Sequence, residues 1–154
     1  MTPAINSLQK ARAEFRLHQY QHDAGHPSFG LEAAEKLAVT PERVFKTLVA
    51  ETEKGQLVVA VVPVDQQLNL KQLAKAATCK KAEMAKPDKV QRTTGYVLGG
   101  VSPIGQKKML ATFVHVSARE YTSIFVSGGR RGLEIELNPD TLLSATGGCF
   151  AELV

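Results

Sequence analysis

The chain has 154 residues, is 44% hydrophobic and 22% charged, and carries a net charge of +4, as expected for one globular domain with its own core. Its apolar runs fall well short of the roughly 20 residues of a membrane span, and its start lacks the features of a signal peptide. These features exclude membrane-spanning and exported classes and predict a cytoplasmic protein. Cys79 and Cys149 form no CxxC pair and are expected to be reduced.

The first part of the chain predicts a helix, a strand, a loop and a second helix, at residues 3–15, 16–22, 23–28 and 30–37. The first helix has Pro3 in its first turn, where its missing amide hydrogen costs nothing. The second helix is expected to bury a stripe made by Leu31, Ala34 and Leu37. A short helical turn follows at residues 40–43.

The rest of the chain predicts a hairpin and then helices mixed with strands. The hairpin strands, residues 44–51 and 56–62, are joined by a turn that contains Gly55. Further helices are predicted at residues 69–77, 86–93 and 138 onwards, and further strands at 112–116, 123–126, 133–137 and 149–153. Because the strands cluster without strict β-α-β alternation, the expected fold class is α+β. We expect a single domain, residues 1–154, with a mixed β-sheet or partial barrel flanked by helices.

Lys46 interrupts an apolar run that enters the core of the predicted hairpin, between Val44-Phe45 and Leu48-Val49. A lysine partly removed from water needs an anion or loses its proton. It could therefore hold a carbonyl or phosphate of a substrate. The alternative is a lysine at a strand end that extends its amine into solvent.

Residues 95–108, GYVLGGVSPIGQKK, form the most unusual segment of the sequence. Glycines allow backbone to approach a ligand closely, and free amides suit a carbonyl oxygen, a carboxylate or a phosphate. The segment is not a P-loop, because Gln106 stands where that motif needs lysine. The pattern favours an amide-lined carbonyl site, with an ordinary loop as the alternative.

A second glycine-rich loop, residues 127–132, follows another predicted strand, and loops at strand ends often build pockets. Glu134 lies just beyond it, on the strand face opposite to Leu133 and Ile135. An acid here could pair with Lys46 or bind the amine of a substrate. The alternative is a strand residue that faces solvent.

Basic residues are concentrated between Lys71 and Arg92, a window in which seven lysines and arginines face only Glu83 and Asp88. Such a patch could bind the phosphates of a polyanion, although charged runs are also common on ordinary solvated helices. The sequence contains no GxSxG motif and no metal-ligand spacing among its histidines and cysteines. We therefore expect neither a protein nucleophile, nor a metal, nor another cofactor.

Several of these segments resemble, in the same order, the YbaK/EbsC family of aminoacyl-tRNA deacylases. The matching positions are Tyr20 and residues 29–30, 44–48, 91–96, 99–108, 126–129 and 131–135. The chain is also similar to the editing domain inserted in bacterial prolyl-tRNA synthetases. The resemblance implies a trans-editing enzyme that removes cysteine from Cys-tRNA(Pro), with Cys-tRNA(Cys) as a second candidate substrate. It also implies that the enzyme acts in a ternary complex with the tRNA and prolyl-tRNA synthetase.

The resemblance also implies a set of site residues. Lys46 matches the essential lysine of the family, and residues 99–103 match its GxxxP loop. The implied catalytic groups are Lys46 and the backbone amides of Gly99, Gly100 and Val101, which would hold the ester carbonyl. The implied substrate-binding residues are Tyr20, Phe29, Thr47, Ser102, Pro103, Ser127, Gly128, Gly129 and Glu134. Glu134 departs from relatives that carry aspartate, and a side chain at Gly100 is expected to abolish activity with little loss of stability.

The implied mechanism needs no protein nucleophile, because the thiol of the substrate's cysteine attacks its own ester carbonyl. This step releases a cyclic thiolactone and free tRNA, while the protein supplies positioning and electrostatics. Two other classes stay open. One is a hydrolase that positions a water molecule and clears alanine from Ala-tRNA(Pro) or another mischarged tRNA. The other is a non-enzymatic RNA-binding accessory protein of translation.

Overall fold

Two β-sheets with helices packed against them make up the architecture, in a computed structural model that describes residues 1–26 and 28–154. The helices are α1 (Pro3–Lys10), α2 (Phe29–Lys36), α3 (Leu70–Ala76), α4 (Pro87–Thr94) and α5 (Pro139–Thr146), with 3-10 turns at Pro41–Arg43 and Val116–Glu120. The strands are β1 (Arg16–Gln19), β2 (Phe45–Thr52), β3 (Leu57–Pro63), β4 (Ala82–Met84), β5 (Ala111–His115), β6 (Ile124–Ser127), β7 (Leu133–Leu137) and β8 (Cys149–Ala151). Pro27, in the loop predicted at residues 23–28, lies outside the described residues.

One sheet is antiparallel and three-stranded, in the order β1-β7-β6, and the other is mixed and five-stranded, in the order β4-β2-β3-β5-β8. The β2–β3 hairpin is antiparallel, whereas β5 runs parallel to both β3 and β8. A bridge between Val44 and Phe125 connects the start of β2 to β6. Within the described residues the sheets do not close into a barrel. The α+β class with a mixed sheet is therefore confirmed.

The five-stranded sheet is apolar on both faces, because side chains alternate sides along each strand. Val49, Val59 and Val61 pack on one face with side chains of the three-stranded sheet, α1 and α4. Ala60 and Val62 lie on the other face and pack with α3. Among the described residues, none of the helices is both long and apolar enough to span a bilayer.

The predicted hairpin and the later helices are present, but some boundaries of the elements were wrong. The first helix ends at Lys10 rather than at residue 15, because Arg12 adopts a left-handed conformation with φ 56°. Strand β4 was not predicted; it has three residues and pairs with the end of β2. The strands predicted at residues 16–22 and 149–153 end earlier, at Gln19 and Ala151.

The buried stripe predicted for α2 is confirmed at Ala34, but it was wrong at Leu31. Leu31 is 40% exposed, while its neighbour Glu32 is fully buried. Glu32 accepts hydrogen bonds from His22 Nδ1 (2.6 Å) and from the amide of Asp23 (2.7 Å), and its Oε2 lies 3.2 Å from Lys36 Nζ. Burial alone would raise the pKa of Glu32, but these hydrogen bonds outweigh it and lower the pKa to about 2. The pairing fixes the segment before α2 against the helix.

Candidate active site

A cavity of about 280 Å³ opens where the start of β2, the start of α2, the loop after α4 and the β6–β7 hairpin meet. Eight of the residues implied by the resemblance line it: Tyr20, Phe29, Lys46, Thr47, Gly99, Val101, Ser127 and Glu134. Ser28, Gly30, Phe45, Leu48 and Leu98 complete the described lining. The other implied residues, Gly100, Ser102, Pro103, Gly128 and Gly129, are not among the residues that line the cavity.

Lys46 enters the cavity from the second residue of β2, directly after the buried Phe45. Its side chain is half-buried, and burial lowers its pKa, opposed only in part by the charge of Asp65. Among the described residues, no carboxylate lies within 4.0 Å of its amine. A partly desolvated ammonium group without a protein anion beside it is suited to bind an oxygen of a ligand.

Glu134 lies in the middle strand of the three-stranded sheet and is 7% exposed. The alternative of a solvent-facing residue is therefore wrong: α2 and neighbouring residues cover this face of the sheet around Phe125. Burial raises the pKa of Glu134 from 4.5 to about 8, so the carboxyl group is largely protonated at neutral pH. Burial, followed by the nearby charge of Glu134, also raises the pKa of Tyr20. The suggested ion pair between Glu134 and Lys46 is not formed within the described residues.

Thr47 and Ser127 place two hydroxyl groups at the cavity. Thr47 Oγ1 is buried and has no hydrogen-bond partner among the described residues. Ser127 is the cross-strand neighbour of Glu134, and its Oγ accepts a hydrogen bond from the amide of Gly129 (3.1 Å). Because a buried hydroxyl without a partner is costly, Thr47 is a candidate to bind a polar group of a ligand.

The three amides predicted to hold a carbonyl are not equivalent. The amide of Gly100 donates to the carbonyl oxygen of Val97 (3.0 Å), so it closes a turn and is not available to a ligand. In the part of the chain that the structure describes, the amides of Gly99 and Val101 have no protein acceptor. The prediction is therefore corrected for Gly100, while Gly99 and Val101 stay candidates.

The glycines outside the cavity are required by close packing of the loops. A Cβ atom on Gly100 would lie 2.8 Å from Cα of Arg130, and one on Gly128 would lie 2.7 Å from Cγ of Leu133. Ser102 is fully buried, and its Oγ accepts a hydrogen bond from the amide of Ile104 (3.2 Å). A side chain at Gly100 would thus push two loops apart, which argues against the expectation of little loss of stability.

The basic window between Lys71 and Arg92 does not form one surface. Helix α3 and helix α4 pack on opposite faces of the five-stranded sheet, through Leu73 and Val90 respectively. The sheet therefore separates Lys71 and Lys75 from the basic residues of α4.

A second groove, of about 720 Å³, lies along α4 and the segment before β5. Its basic residues are Lys89, Arg92, Lys107 and Lys108. Lys89 and Arg92 pair with Glu51 (2.8 Å) and Asp88 (3.7 Å). Lys107 and Lys108 are exposed, and no carboxylate lies within 4.0 Å of either among the described residues. Since one segment, residues 98–111, supplies walls to both the cavity and this groove, a single ligand could contact both.

Residues 30–145 match the family model described as "Aminoacyl-tRNA editing domain". The chain is 41% identical over 152 residues to "Putative Cys-tRNA(Pro)/Cys-tRNA(Cys) deacylase EbsC" of Enterococcus faecalis, covering 99% of this chain and 92% of that protein. It is also 41% identical over 69 residues to a "Proline--tRNA ligase" of Moorella thermoacetica, a match that covers 45% of this chain and 12% of the ligase.

A solved structure described as a "putative trans-editing enzyme for prolyl tRNA synthetase" has a TM-score of 0.83 with the chain. The sequences are 23% identical, and the match covers 99% of this chain and 98% of that one. This likeness confirms the α+β fold.

Proposed function

Because the chain belongs to the aminoacyl-tRNA editing domain family, we propose that it is a trans-editing deacylase that removes cysteine from mischarged Cys-tRNA(Pro). Cys-tRNA(Cys) is a second candidate substrate, in line with the name of the E. faecalis relative. The observation that carries the proposal is the position of Lys46, half-buried in a cavity and without a carboxylate beside it among the described residues. Such a group suits an ester substrate with an oxygen to orient.

The proposed reaction takes place within the substrate. The cysteine thiol attacks the carbonyl carbon of its own ester, and a sulfur–carbon bond forms. The bond from that carbon to the ribose 3′ oxygen breaks, and the proton of the thiol passes to this oxygen. The products are a cyclic thiolactone and tRNA with a free 3′ hydroxyl. Attack within one molecule gains a large effective concentration, so the protein's contribution is to hold the reacting groups in place.

Each group at the cavity has a proposed part in that positioning. Lys46 orients the terminal ribose or phosphate, and the amides of Gly99 and Val101 bind the carbonyl oxygen, where negative charge develops. Glu134 binds the α-amino group of the aminoacyl ester. A cationic amine next to Glu134 would favour its ionised form, so binding this end of the substrate would lower the raised pKa of Glu134.

The polar side chains and small volume of the cavity suit an amino acid of small size. Tyr20, Phe29, Thr47 and Ser127 are the proposed side-chain walls of the substrate site. Even a whole methylene group changes binding by only about 1–3 kcal/mol. Because cysteine and serine differ only by sulfur in place of oxygen, a pocket of this kind separates them poorly. The thiol chemistry is then the proposed source of that discrimination.

The proposed partners are the aminoacyl-tRNA and prolyl-tRNA synthetase in a ternary complex, in the cytoplasm. The partial match to a proline–tRNA ligase supports an association with proline charging. The exposed lysines of the groove beside α4 supply phosphate contacts, which carry little sequence information. Selection of the proline tRNA is therefore assigned to the synthetase.

We propose that the functional unit is the whole of residues 1–154, beyond the matched residues 30–145. The start of α1 packs against the glycine-rich loop, since a Cβ atom on Gly105 would lie 2.6 Å from the carbonyl carbon of Pro3. At the other end, the amide of Leu153 donates to His115 Nδ1 (3.1 Å). Both ends are thus packed against the five-stranded sheet, Ile5 and Leu8 on one face and Leu153 on the other.

The direct test is deacylation by the purified chain of Cys-tRNA(Pro), Ala-tRNA(Pro) and Pro-tRNA(Pro), with and without prolyl-tRNA synthetase. We expect rapid loss of cysteine and little loss of alanine or proline. Preferential loss of alanine would support the water-mediated hydrolase instead. Binding of tRNA without turnover of any of the three substrates would support the non-enzymatic accessory protein.

A further inference from the structure

An arginine and a phenylalanine form a pair at the mouth of the cavity. Arg131 Cζ lies 4.2 Å from the centroid of the Phe29 ring, which places the guanidinium over the ring face. Arg131 Nη2 also donates to the carbonyl oxygen of Leu98 (3.0 Å). Phe29 and Leu98 line the cavity, whereas Arg131 lies at its rim.

The loop that carries the candidate amides runs directly against this pair. Gly99 has φ +86°, and a Cβ atom there would lie 2.6 Å from Nε of Arg131 and 2.8 Å from the Phe29 ring. Only glycine fits at this position, both for its conformation and for its space. The position of the guanidinium is therefore tied to the position of the Gly99 amide.

Phe29 is itself fixed by its neighbours. Its ring packs against the His22 ring, with centroids 5.3 Å apart, and His22 donates to the buried Glu32. The guanidinium thus rests on an ordered surface rather than on a mobile side chain. A group that is already ordered loses less entropy when a ligand binds.

The charge of Arg131 is not neutralised by the fold. Arg131 is exposed, and no carboxylate lies within 4.0 Å of it among the described residues. One face of the guanidinium is covered by Phe29, so its exposed surface belongs to the other face and its edge. A flat guanidinium held in this way is a surface on which nucleobases stack.

We propose that Arg131, supported by Phe29, binds the 3′-terminal nucleobase of the tRNA by stacking at the mouth of the cavity. This inference rests on the proposed function and extends it from the aminoacyl group to the nucleoside. A cavity of about 280 Å³ lies at the small end of ligand pockets, so the aminoacyl group enters and the attached nucleoside stays at the rim. Stacking there would place the ester carbonyl beside the Gly99 amide.

The first test is single-turnover deacylation of Cys-tRNA(Pro) at increasing enzyme concentration, with wild type, Arg131→Ala, Arg131→Lys and Arg130→Ala. The neighbouring Arg130 is also exposed and serves as the matched control. Base stacking is worth about 1–3 kcal/mol, which corresponds to roughly 5- to 150-fold in half-saturating enzyme concentration. We expect the half-saturating concentration to increase by this factor in both Arg131 variants, while their maximal rate stays within about threefold of wild type. For Arg130→Ala we expect both quantities to equal those of wild type. Full recovery in Arg131→Lys would assign the effect to charge and overturn stacking.

The second test does not depend on turnover. It uses uncharged tRNA whose terminal adenine is replaced by 2-aminopurine, a fluorescent base whose emission changes when its stacking partner changes. We expect wild type and Arg130→Ala to change the emission and Arg131→Lys to leave it unchanged, with thermal unfolding showing that all variants are folded. Equal changes of emission with wild type and Arg131→Lys would overturn the inference. A wild type that changes the emission but deacylates nothing would instead contradict the proposed function and leave the stacking site supported.

Discussion

Lys46 on β2 and Glu134 on β7 line the same cavity from two different sheets. Burial lowers the pKa of Lys46 and raises that of Glu134 to about 8, so it favours the neutral form of both groups. An oxygen anion beside Lys46 and an amine beside Glu134 would each restore the charged form. The 3′ end of an aminoacyl-tRNA carries an α-amino group on the amino acid and a phosphate on the terminal nucleotide, which is why we propose it as the substrate of this cavity.

Replacement of Lys46 by alanine should strongly slow deacylation and leave the fold intact. The variant lacks a charge-assisted hydrogen bond to the substrate worth about 1.5–3 kcal/mol, or roughly ten- to a hundredfold in rate. No protein ion pair disappears with it among the described residues, so thermal unfolding should be little changed. Single-turnover rates measure the effect, with Lys71→Ala, an exposed lysine of α3, as control. A near-normal rate for Lys46→Ala would show that Lys46 does not contact the substrate in the way proposed.

Glu134→Gln should stabilise the protein at alkaline pH. Glutamate has a pKa of 4.5 when unfolded and about 8 here, so the folded state holds more protons between these values. The free energy of unfolding of wild type therefore falls as the pH rises through this range, and glutamine removes that loss. We expect the variant to gain up to about 4 kcal/mol over wild type at about pH 9 relative to about pH 5. Urea unfolding of both proteins at both pH values measures this difference. The same change of unfolding free energy with pH in the two proteins would contradict the raised pKa of Glu134.

Gly100→Ala should destabilise the protein. Its Cβ atom would meet the backbone of Arg130 at 2.8 Å, and backbone cannot move aside as a flexible side chain can. We expect a loss of about 1–3 kcal/mol in thermal or urea unfolding. Gly25→Ala is the matched control, since among the described residues no heavy atom beyond Gly25 and its chain neighbours lies within 4 Å of its Cβ position. Equal stability of Gly100→Ala and Gly25→Ala would show that the loops of Gly100 and Arg130 pack less tightly than the structure indicates.

Binding of tRNA should weaken with salt and should depend on the groove beside α4. Lys107→Glu/Lys108→Glu should lower affinity and reduce the slope of log affinity against log salt by about 2, one unit for each lysine that no longer binds a phosphate. Lys71→Glu/Lys75→Glu makes the same charge change on the opposite face of the sheet and should have a smaller effect. Filter binding or fluorescence anisotropy at several salt concentrations measures both. A larger loss of affinity in Lys71→Glu/Lys75→Glu than in Lys107→Glu/Lys108→Glu would place the tRNA on the face of the sheet that carries α3.

Much of the fold follows from local sequence signals. The β2–β3 hairpin has two largely apolar strands and a turn glycine, and α3 begins at Leu70, directly after Asn69, whose side chain caps the first amides. The end of α1 was missed because Arg12 turns the chain with a positive φ, which few residues other than glycine, asparagine and aspartate adopt readily. Strand β4 is too short for periodicity to reveal and exists through its pairing with β2.

The cavity combines local signals with contacts that only the fold decides. Lys46 and the glycine-rich loop stand out in the sequence, but nothing local indicates that α2 covers Glu134 or that Gly100 packs against the backbone of Arg130. Glu32 shows the same limit. Its spacing to Lys36 suggests a surface ion pair, whereas contacts with His22 and Asp23 bury it completely. Burial of Glu32 thus depends on partners outside its own helix.

The cysteines of the protein should not take part in the reaction. Cys79 is half-buried and Cys149 is exposed, and neither lines the cavity as described. The double variant Cys79→Ala/Cys149→Ala should therefore deacylate Cys-tRNA(Pro) at a rate close to that of wild type, in the same single-turnover assay. A large loss of activity would point to a protein thiol as nucleophile.

The most direct measurement is the ratio of single-turnover rates on Cys-tRNA(Pro) and Ser-tRNA(Pro), with mass spectrometry of the released amino acid. Serine and cysteine have nearly the same shape, but a hydroxyl is a far weaker nucleophile than a thiol at neutral pH. We predict rapid release of cysteine as a trapped thiolactone and slow release of serine. Comparable rates on the two substrates, with free amino acids as the first products, would show that a bound water molecule attacks the ester and would contradict attack by the substrate's own thiol.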